Sequence, residues 1–560
     1  LPEITALIDP RQFDLITRPN AGLVVIQGGA GSGKTTIGLH RMAYLSFNDP
    51  KRFRSDKMLV VVFNEALARY MSKVLPALGV EGVAVITYEA WVQKLKKVHY
   101  ETLPKEYSDE TPGTVTRLKK HPAMLRLIDD MVEQLSEQFV QELAEKLSDQ
   151  AMTELKRGWK QSQGLALYER LEALHAWILK EPNTCSQGDV IYVQSVIERW
   201  QSRRLDVVEA WAELLGNKAC LSDALENADP GSWNAAELQS AHVWCLRHCD
   251  AVLQEAERRD QEIRDRASSE SHSDETEEII GVDGQVERDV VTLDREDDTL
   301  LLRLHQRLRG PLRHRKERLS YEHLLVDEAQ DLSPVELAVI LGTASEQQSV
   351  TLAGDVAQRI YMDNGFTTWE KVFEQLGLSH IEIEPLRISY RSTVEIMNFA
   401  QHVLGEVEQG PSGKAVRTGA PVELFKFTHA GDAVGFLGEA LREVVRREPL
   451  SSIALIARHP EQADMYYEGL INSEVPNVRR VAEQDFSFKP GVDVTDIRQV
   501  KGLEFDYVIL LEASTAVYPN DDESRHLLHI GATRAAHQLW VVVVGEPSRL
   551  LPKTLLEAAL

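Results

Sequence analysis

Cysteine is scarce, with four in 560 residues. That excludes a disulfide scaffold and makes a reducing, cytoplasmic setting the expectation. No apolar run approaches the roughly 20 residues of a membrane span, and no signal-peptide pattern opens the chain, so no membrane partner is expected. Excess positive charge is also missing. The formal net charge is -25, which argues against a large basic surface gripping duplex backbone and leaves a local positive groove or docking on a basic partner surface. No internal repeat stands out, and nothing indicates homo-oligomerisation. Methionine is absent from the first position, so Leu1 reads as the start of an excised fragment. The remaining composition, 43% hydrophobic and 27% charged, is that of an ordinary globular chain. Its length exceeds what one core serves, so three or four structural units are expected.

One stretch organises the chain. An apolar run, Leu23 to Ile26, leads through Gln27 into Gly28-Gly29-Ala30-Gly31-Ser32-Gly33-Lys34-Thr35, and helical spacing follows from Thr36 to Leu45. Strand, Gly-rich loop and helix in this order fit G-x-x-x-x-G-K-[ST] in the context that motif requires. Glycines let successive N-H groups turn inward, and with the helix N-terminus they make a phosphate site. Lys34 would reach the outer phosphates and the Thr35 hydroxyl would ligand Mg2+. Upstream, Gln12 carries an amide able to read an adenine edge.

Strand signals recur at Met58 to Phe63 and Val83 to Tyr88, placing Asn64 and Thr87 at strand carboxyl ends, where parallel sheets bind ligands. From about 100 to 305 long helical stretches take over: Met124 to Asp149, Leu165 to Lys180, Ser195 to Leu215 and Ala235 to Arg266. Six of nine tryptophans fall here, namely Trp159, Trp177, Trp200, Trp211, Trp233 and Trp244. They read as helix-packing core or as a partner-binding surface. Cys245 and Cys249 share a helix face beside His248 and read as buried thiols rather than metal ligands. Residues 265 to 298 hold thirteen Asp or Glu against three Arg, a solvated loop or a phosphate mimic. The basic run that follows, Arg303, Arg307, Arg309, Arg313, Arg315, Lys316 and Arg318, would contact nucleic acid or an acidic surface, or fold back on the acidic block.

Strand signals resume at His323 to Val326 and Val350 to Ala353, then at Val422 to Phe427, Ser452 to Ala457, Val492 to Ile497, Tyr507 to Leu511 and Leu539 to Val544. Asp327 and Glu328 end the first of these, placed to hold Mg2+ opposite Thr35 and to polarise an attacking water. The next runs into Gly354-Asp355, with Gln358 near enough to sense the outer phosphate and report to Tyr361, Phe366 and Trp369. Farther on, Arg391 and Arg534 would reach that phosphate across a cleft, Tyr390 would stack on the base and Glu504 would bond the ribose. Taken singly, each of these also reads as a surface ion pair.

The order of these motifs, Gln12, GGAGSGKT, VDEAQD, GDVAQ, SYR, KGLEFD and GATRA, resembles the superfamily 1 helicases of the UvrD/Rep type. The resemblance implies an α/β fold of two RecA-like parallel-sheet domains with ATP and Mg2+ between them, the first interrupted by a long, mainly helical insertion. The expected division is 1–100, insertion 101–305, 306–380 and a second domain 381–560. It implies Gln12 as adenine reader, Lys34, Thr35, Asp327 and Glu328 as phosphate, metal and water residues, Gln358 as sensor, Arg391 and Arg534 as arginine fingers, Tyr390 as stacker and Glu504 as ribose contact. Three departures stand out. Thr36 replaces the arginine that covers adenine, Met362-Asp363-Asn364-Gly365 replaces an aromatic-Arg-Gly segment, and only 109 residues separate Arg391 from Lys501. These departures resemble the HelD group, helicase IV-like factors that release bacterial RNA polymerase from nucleic acid. They make RNA polymerase the expected partner and single-stranded DNA the alternative, with 3′-to-5′ unwinding.

Overall fold

The computed structural model describes residues 9–18, 22–29, 31–180, 186–270, 290–314, 317–359, 363–378, 381, 383–386, 388–405 and 414–558, without the side chains of 266–270, 390, 391 and 414. Ala30, Arg315, Lys316, Tyr361 and Met362, most of the acidic block, and the side chains of Tyr390 and Arg391 therefore lie outside the described residues.

Two parallel sheets carry the molecule. In the first lobe the strands lie side by side in the order Ala84–Thr87, Met58–Val62, His323–Val326, Val350–Gly354, Leu23–Gly28, Ile383–Leu386. All pairings are parallel. Met58–Val62 and His323–Val326 are buried along their whole length, as strands covered by helices on both faces must be. In the second lobe the order is Glu423–Phe427, Ala535–Val544, Phe505–Leu510, Ser452–Ala457, Gly491–Asp496, Val478–Arg480, again all parallel. These are two RecA-like domains. The strands Ile383–Leu386, Ile388–Thr393, Lys414–Arg417 and Val478–Arg480 carry too little apolar patterning to have been foreseen.

The helical region divides more finely than its periodicity suggests. The stretch from Met124 stops at Ala144, and a new helix, Asp149–Gln161, starts where the Ser148 hydroxyl accepts from Ala151 N. Likewise Ser195 to Leu215 spans two α-helices, Gln187–Arg199 and Val207–Gly216, parted by a π-helical turn at Trp200–Arg204, because Asp206 caps the second through the amides of Val208 and Glu209. Side-chain caps of this kind are strong start signals. The tryptophans Trp159, Trp200 and Trp211 are buried and the other three are packed half-buried against the same core, which selects the packing reading.

This helical core does not end at residue 305. That position falls inside the helix Asp297–Leu308, and the core also takes in Val335 and Ala338 from the helix Pro334–Leu341 of the first lobe. Its two ends are drawn together. Leu293 N donates to Glu106 O at 3.0 Å and Ser108 N to Leu293 O at 2.8 Å. Lys119 Nζ lies 2.6 Å from both Asp294 and Asp297, all three fully buried. Trp244 and Trp211 donate their indole N-H to Asp294 and Asp297, each at 3.1 Å. The last acids of the 265–298 block are thus core residues. Three of the following basic residues are structural too. Arg303 is largely withdrawn from water, which pushes its guanidinium down to about 10; Arg307 pairs with Asp129 at 2.7 Å; and Arg309 donates to Leu205 O and Gln201 O. No described helix is long and apolar enough to cross a membrane.

Candidate nucleotide site

The Gly-rich loop follows the strand Leu23–Gly28 and opens the helix Lys34–Asn48. Gly31 and Gly33 hold positive φ, +70° and +85°, which L side chains adopt at a cost. Gly28 is needed for space, since a Cβ there would meet Ser32 Oγ at 2.6 Å and Leu386 Cβ at 2.8 Å. Lys34 is buried, and its Nζ donates to Gly28 O at 2.5 Å and Gly29 O at 3.2 Å. Thr35 Oγ1 donates to Asp327 Oδ2 at 2.8 Å. Gln12 lies against the same loop, donating to Ser32 O at 3.2 Å and accepting from Asp9 N at 3.2 Å. An amide has two donors and two acceptor positions, so one of each is without a partner among the described residues.

Two acids close the floor. Burial and then the adjacent Glu328 charge push the Asp327 carboxyl up to about 7. Burial would raise Glu328 as well, but the charges of Lys501, Lys34 and Arg534 hold it below its usual range. Glu328 takes a left-handed backbone, φ +52°, an arrangement that costs on the order of 1–3 kcal/mol and concentrates at functional sites.

The second lobe supplies the roof. Arg534 is buried and donates through Nη2 to Gln358 Oε1. Lys501, fully withdrawn from water, donates to Asp331 and, at 2.6 Å, to Gln358 O, while its Nζ stands 3.9 Å from Glu328 Oε2. Asn64 ties the same segment down from the first lobe. Its amide donates to Lys501 O at 2.8 Å and its carbonyl caps the following helix through Leu67 N. Between the lobes lies a cleft of about 610 Å3, lined by the loop, Thr36, Glu328, Gln358, Glu504 and Arg534, within the usual 300–1,000 Å3 of small-molecule sites.

Thus Gly28, Gly29, Gly31, Ser32, Gly33, Lys34, Thr35, Thr36, Asp327, Glu328, Gln358, Glu504 and Arg534 converge on one cleft or its floor. Gln12 reaches the back of the loop instead of the open cleft. Trp369 is core, stacked on Phe373 and edge-on to Phe366. Sequence reasoning overlooked Lys501, Asp331 and Gln330. The signal was a charged residue between the apolar Val500 and Leu503, inside a motif read for Glu504 alone.

These residues fit a Mg2+-nucleoside triphosphate. Asp327 Oδ1 and Ser32 Oγ are buried without a hydrogen-bond partner among the described residues, the first on the carboxylate whose other oxygen accepts from Thr35 and the second within the Gly-rich loop. Buried polar atoms left in this way are costly unless a ligand completes them.

The family model of the UvrD/REP helicase N-terminal domain matches residues 8–365, well over half of the chain. The chain belongs to the UvrD/REP helicase family. A UvrD-like helicase C-terminal domain model matches residues 491–542. DNA helicase II of Haemophilus influenzae is 27% identical over 185 residues, 32% of this chain and 25% of that protein. ATP-dependent DNA helicase UvrD2 of Mycobacterium bovis is 23% identical over 174 residues, 30% of this chain and 25% of that protein. The matched stretch thus spans a quarter of the length of these relatives. A solved C-terminal domain of a possible DNA helicase from Lactobacillus plantarum WCFS1 is 25% identical, covers 30% of this chain and 96% of that one, and has a TM-score of 0.25. The HelD-type closeness and the RNA polymerase partner expected from the sequence are not shown by these matches.

Proposed function

We propose that this UvrD/REP family chain is a Mg2+-dependent ATPase that drives movement along, and 3′-to-5′ unwinding of, DNA, in a cytoplasmic setting. The observation that carries the reading is Arg534, delivered by the second lobe onto Gln358 beside the buried pair Asp327 and Glu328. Hydrolysis would then require the lobes to meet, which is the coupling a translocating motor needs. The DNA-helicase names of the matched relatives support DNA over RNA polymerase as the partner.

In this reading Gly28 to Gly33, with Ala30, cradle the phosphates by their amides, and Lys34 leaves its carbonyl partners to meet the outer oxygens. Thr35 and Asp327 would hold Mg2+, which when bound neutralises charge on those oxygens. Glu328, kept ionised by Lys501, Lys34 and Arg534, orients a water and takes its proton. Gln358 senses the outer phosphate, and Arg391 and Arg534 neutralise charge developing there. Gln12 reads adenine with its remaining donor and acceptor, Tyr390 stacks on the base, and Glu504 holds the ribose.

The test is ATP turnover and nucleotide titration with and without single-stranded oligonucleotide. Lys34→Ala should weaken binding, whereas Glu328→Gln should bind normally and lose at least about a hundredfold in turnover. Equal loss of affinity in both variants overturns this division of roles. Turnover indifferent to single strands but raised by RNA polymerase would favour polymerase release, the reading to which the short span between Arg391 and Lys501 points.

A further inference from the structure

Glu328 is joined to the second lobe by four hydrogen bonds that run through Gln330, Asp355 and Gln358, entering Asp355 at its side chain and leaving from its backbone amide, and every donor in them faces the same way. Arg534 Nη2 donates to Gln358 Oε1. Gln358 Nε2 donates to Asp355 Oδ2 at 2.5 Å. Asp355 N donates to Gln330 Oε1 at 3.0 Å, and Gln330 Nε2 donates to Glu328 Oε2 at 2.6 Å. All five residues are buried.

The amide orientations are dictated by their neighbours. A carboxylate only accepts and a guanidinium only donates, so Gln358 must turn its NH2 to Asp355 and its oxygen to Arg534. Gln330 must turn its oxygen to the Asp355 amide and its NH2 to Glu328. Space for Gln330 comes from Gly354, where a Cβ would sit 2.5 Å from Gln330 Oε1 and 2.9 Å from Trp369 Cζ2. The Gln330 backbone is pinned as well, its carbonyl accepting from Asn364 Nδ2 at 3.1 Å.

We infer that Gln330 is a positioning residue that sets the Glu328 carboxylate according to whether Arg534 has docked on Gln358, with Asp355 as the link between them. The coupling is positional: engagement at the Arg534 end fixes Gln358 and through it the Asp355 side chain, and the Asp355 backbone amide in turn holds Gln330 against Glu328. Oε2 of Glu328 is the oxygen held, by Gln330 and on the side of Lys501, which leaves Oε1 to a water. An open lobe pair releases Gln358, slackens the line and frees the carboxylate to turn. The inference rests on the reading of Glu328 as the water-orienting group.

Two measurements test it. In a double-mutant cycle on turnover, Gln330→Met should cost about tenfold to a hundredfold, the usual scale for a bond to a charged group, with ADP affinity changed less than about threefold. Combined with Arg534→Ala it should lose at least about fivefold less than the product of the single effects, because one line is cut twice. In nucleotide-free protein, hydrogen exchange at the Asp355 amide should speed up in Gln330→Met and also in Arg534→Ala, whose side chain does not touch that amide. Gly354→Ala, which displaces Gln330 without deleting it, should reproduce both results if Gln330→Met folds poorly. Multiplicative losses in the cycle, or an Asp355 amide unmoved by Arg534→Ala, overturns the relay. Full turnover in Glu328→Gln would instead overturn the assignment of Glu328, and the exchange measurement would still report on the line itself.

Discussion

Lys119 and Lys501 are both wholly withdrawn from water, and each is bound by carboxylates, yet they do opposite work. Lys119 sits among Asp294, Asp297 and His248, roofed by Trp211 and Trp244. The three acidic and imidazole groups lie close enough to grip a metal ion, but the ammonium already stands between the two carboxylates. Every partner belongs to the helical region or its closing turn, so the cluster is sealed. Lys501 comes from one lobe and its partners Asp331, Glu328 and Gln358 from the other, at the edge of an open cleft. A buried ion pair within one unit fixes a shape, whereas one divided between two units makes their contact conditional. Removing one partner from such a pair costs about 3–5 kcal/mol when nothing replaces it, and the two sites differ in what can replace it.

The most severe way to break the comparison is to remove the sealed region. The expected insertion, residues 101–305, shares its core with the first lobe, so removing it should not leave the lobes intact. The deletion would cut the helix Asp297–Leu308 and uncover Val335 and Ala338. Insoluble protein or loss of a cooperative melt is expected. A soluble deletion variant with unchanged melting of the first lobe would show that the helical region is an autonomous arm after all.

Next in size is Lys119→Met. Asp294 and Asp297 would keep their burial and lose their counter-charge, so the helical region should lose about 3–5 kcal/mol, read from urea melts or exchange across 290–308. Lys501→Met should cost less stability. Lys34 and Arg534 remain near Glu328, and the lobes can part to admit water. Its turnover should nevertheless fall at least about tenfold. Equal destabilisation by the two substitutions would erase the distinction between sealed and shared.

This contrast also marks what a sequence discloses. The convergence of the loop and the acid pair was legible because each is a local pattern of residue types, that of Arg534 only through the order of motifs that resembles a known family, and strands such as Ser452–Ala457 and His323–Val326 because fully buried parallel strands are unbroken apolar runs. The Lys119 cluster was not legible. Its members lie 175 and 178 residues apart, and each taken alone reads as a surface charge. The 265–298 acids mislead for the same reason: Asp294 and Asp297 belong to a core, although the composition around them is that of a solvated loop. Lys501 fell between the two cases, named by a motif but given its work by a partner in another lobe.

The smallest effect concerns acid. His305, at the foot of the helical region, is held down to about 3 by burial and then by His99, Arg309 and Arg313, and His121 to about 4 chiefly by burial. In the first lobe His323, bonded to Ser349, is likewise held to about 3 by burial, with Arg41 and Arg52 adding to it. A histidine with a depressed folded value binds its proton more readily when unfolded. Its contribution is therefore complete above about pH 6.5 and is lost as pH falls toward the folded value. One pH unit is worth about 1.4 kcal/mol per group, so each should cost roughly 2 kcal/mol by pH 5. Asp298, raised to about 6 by burial, opposes the loss, since protonating it in this window favours the folded state. Single substitutions separate these terms. His305→Gln keeps a hydrogen-bonding group for the Tyr100 hydroxyl, 2.8 Å from His305 Nδ1, and removes the titration. Between pH 7.5 and 5.0 its helical region should lose about 2 kcal/mol less than the parent, read from urea melts at both pH values. His323→Gln should spare the first lobe and leave exchange across 290–308 as acid-sensitive as before. A parent and a His305→Gln protein with the same pH dependence would mean that His305 binds its proton as readily in the fold as in the unfolded chain, and the depressed folded value would be wrong.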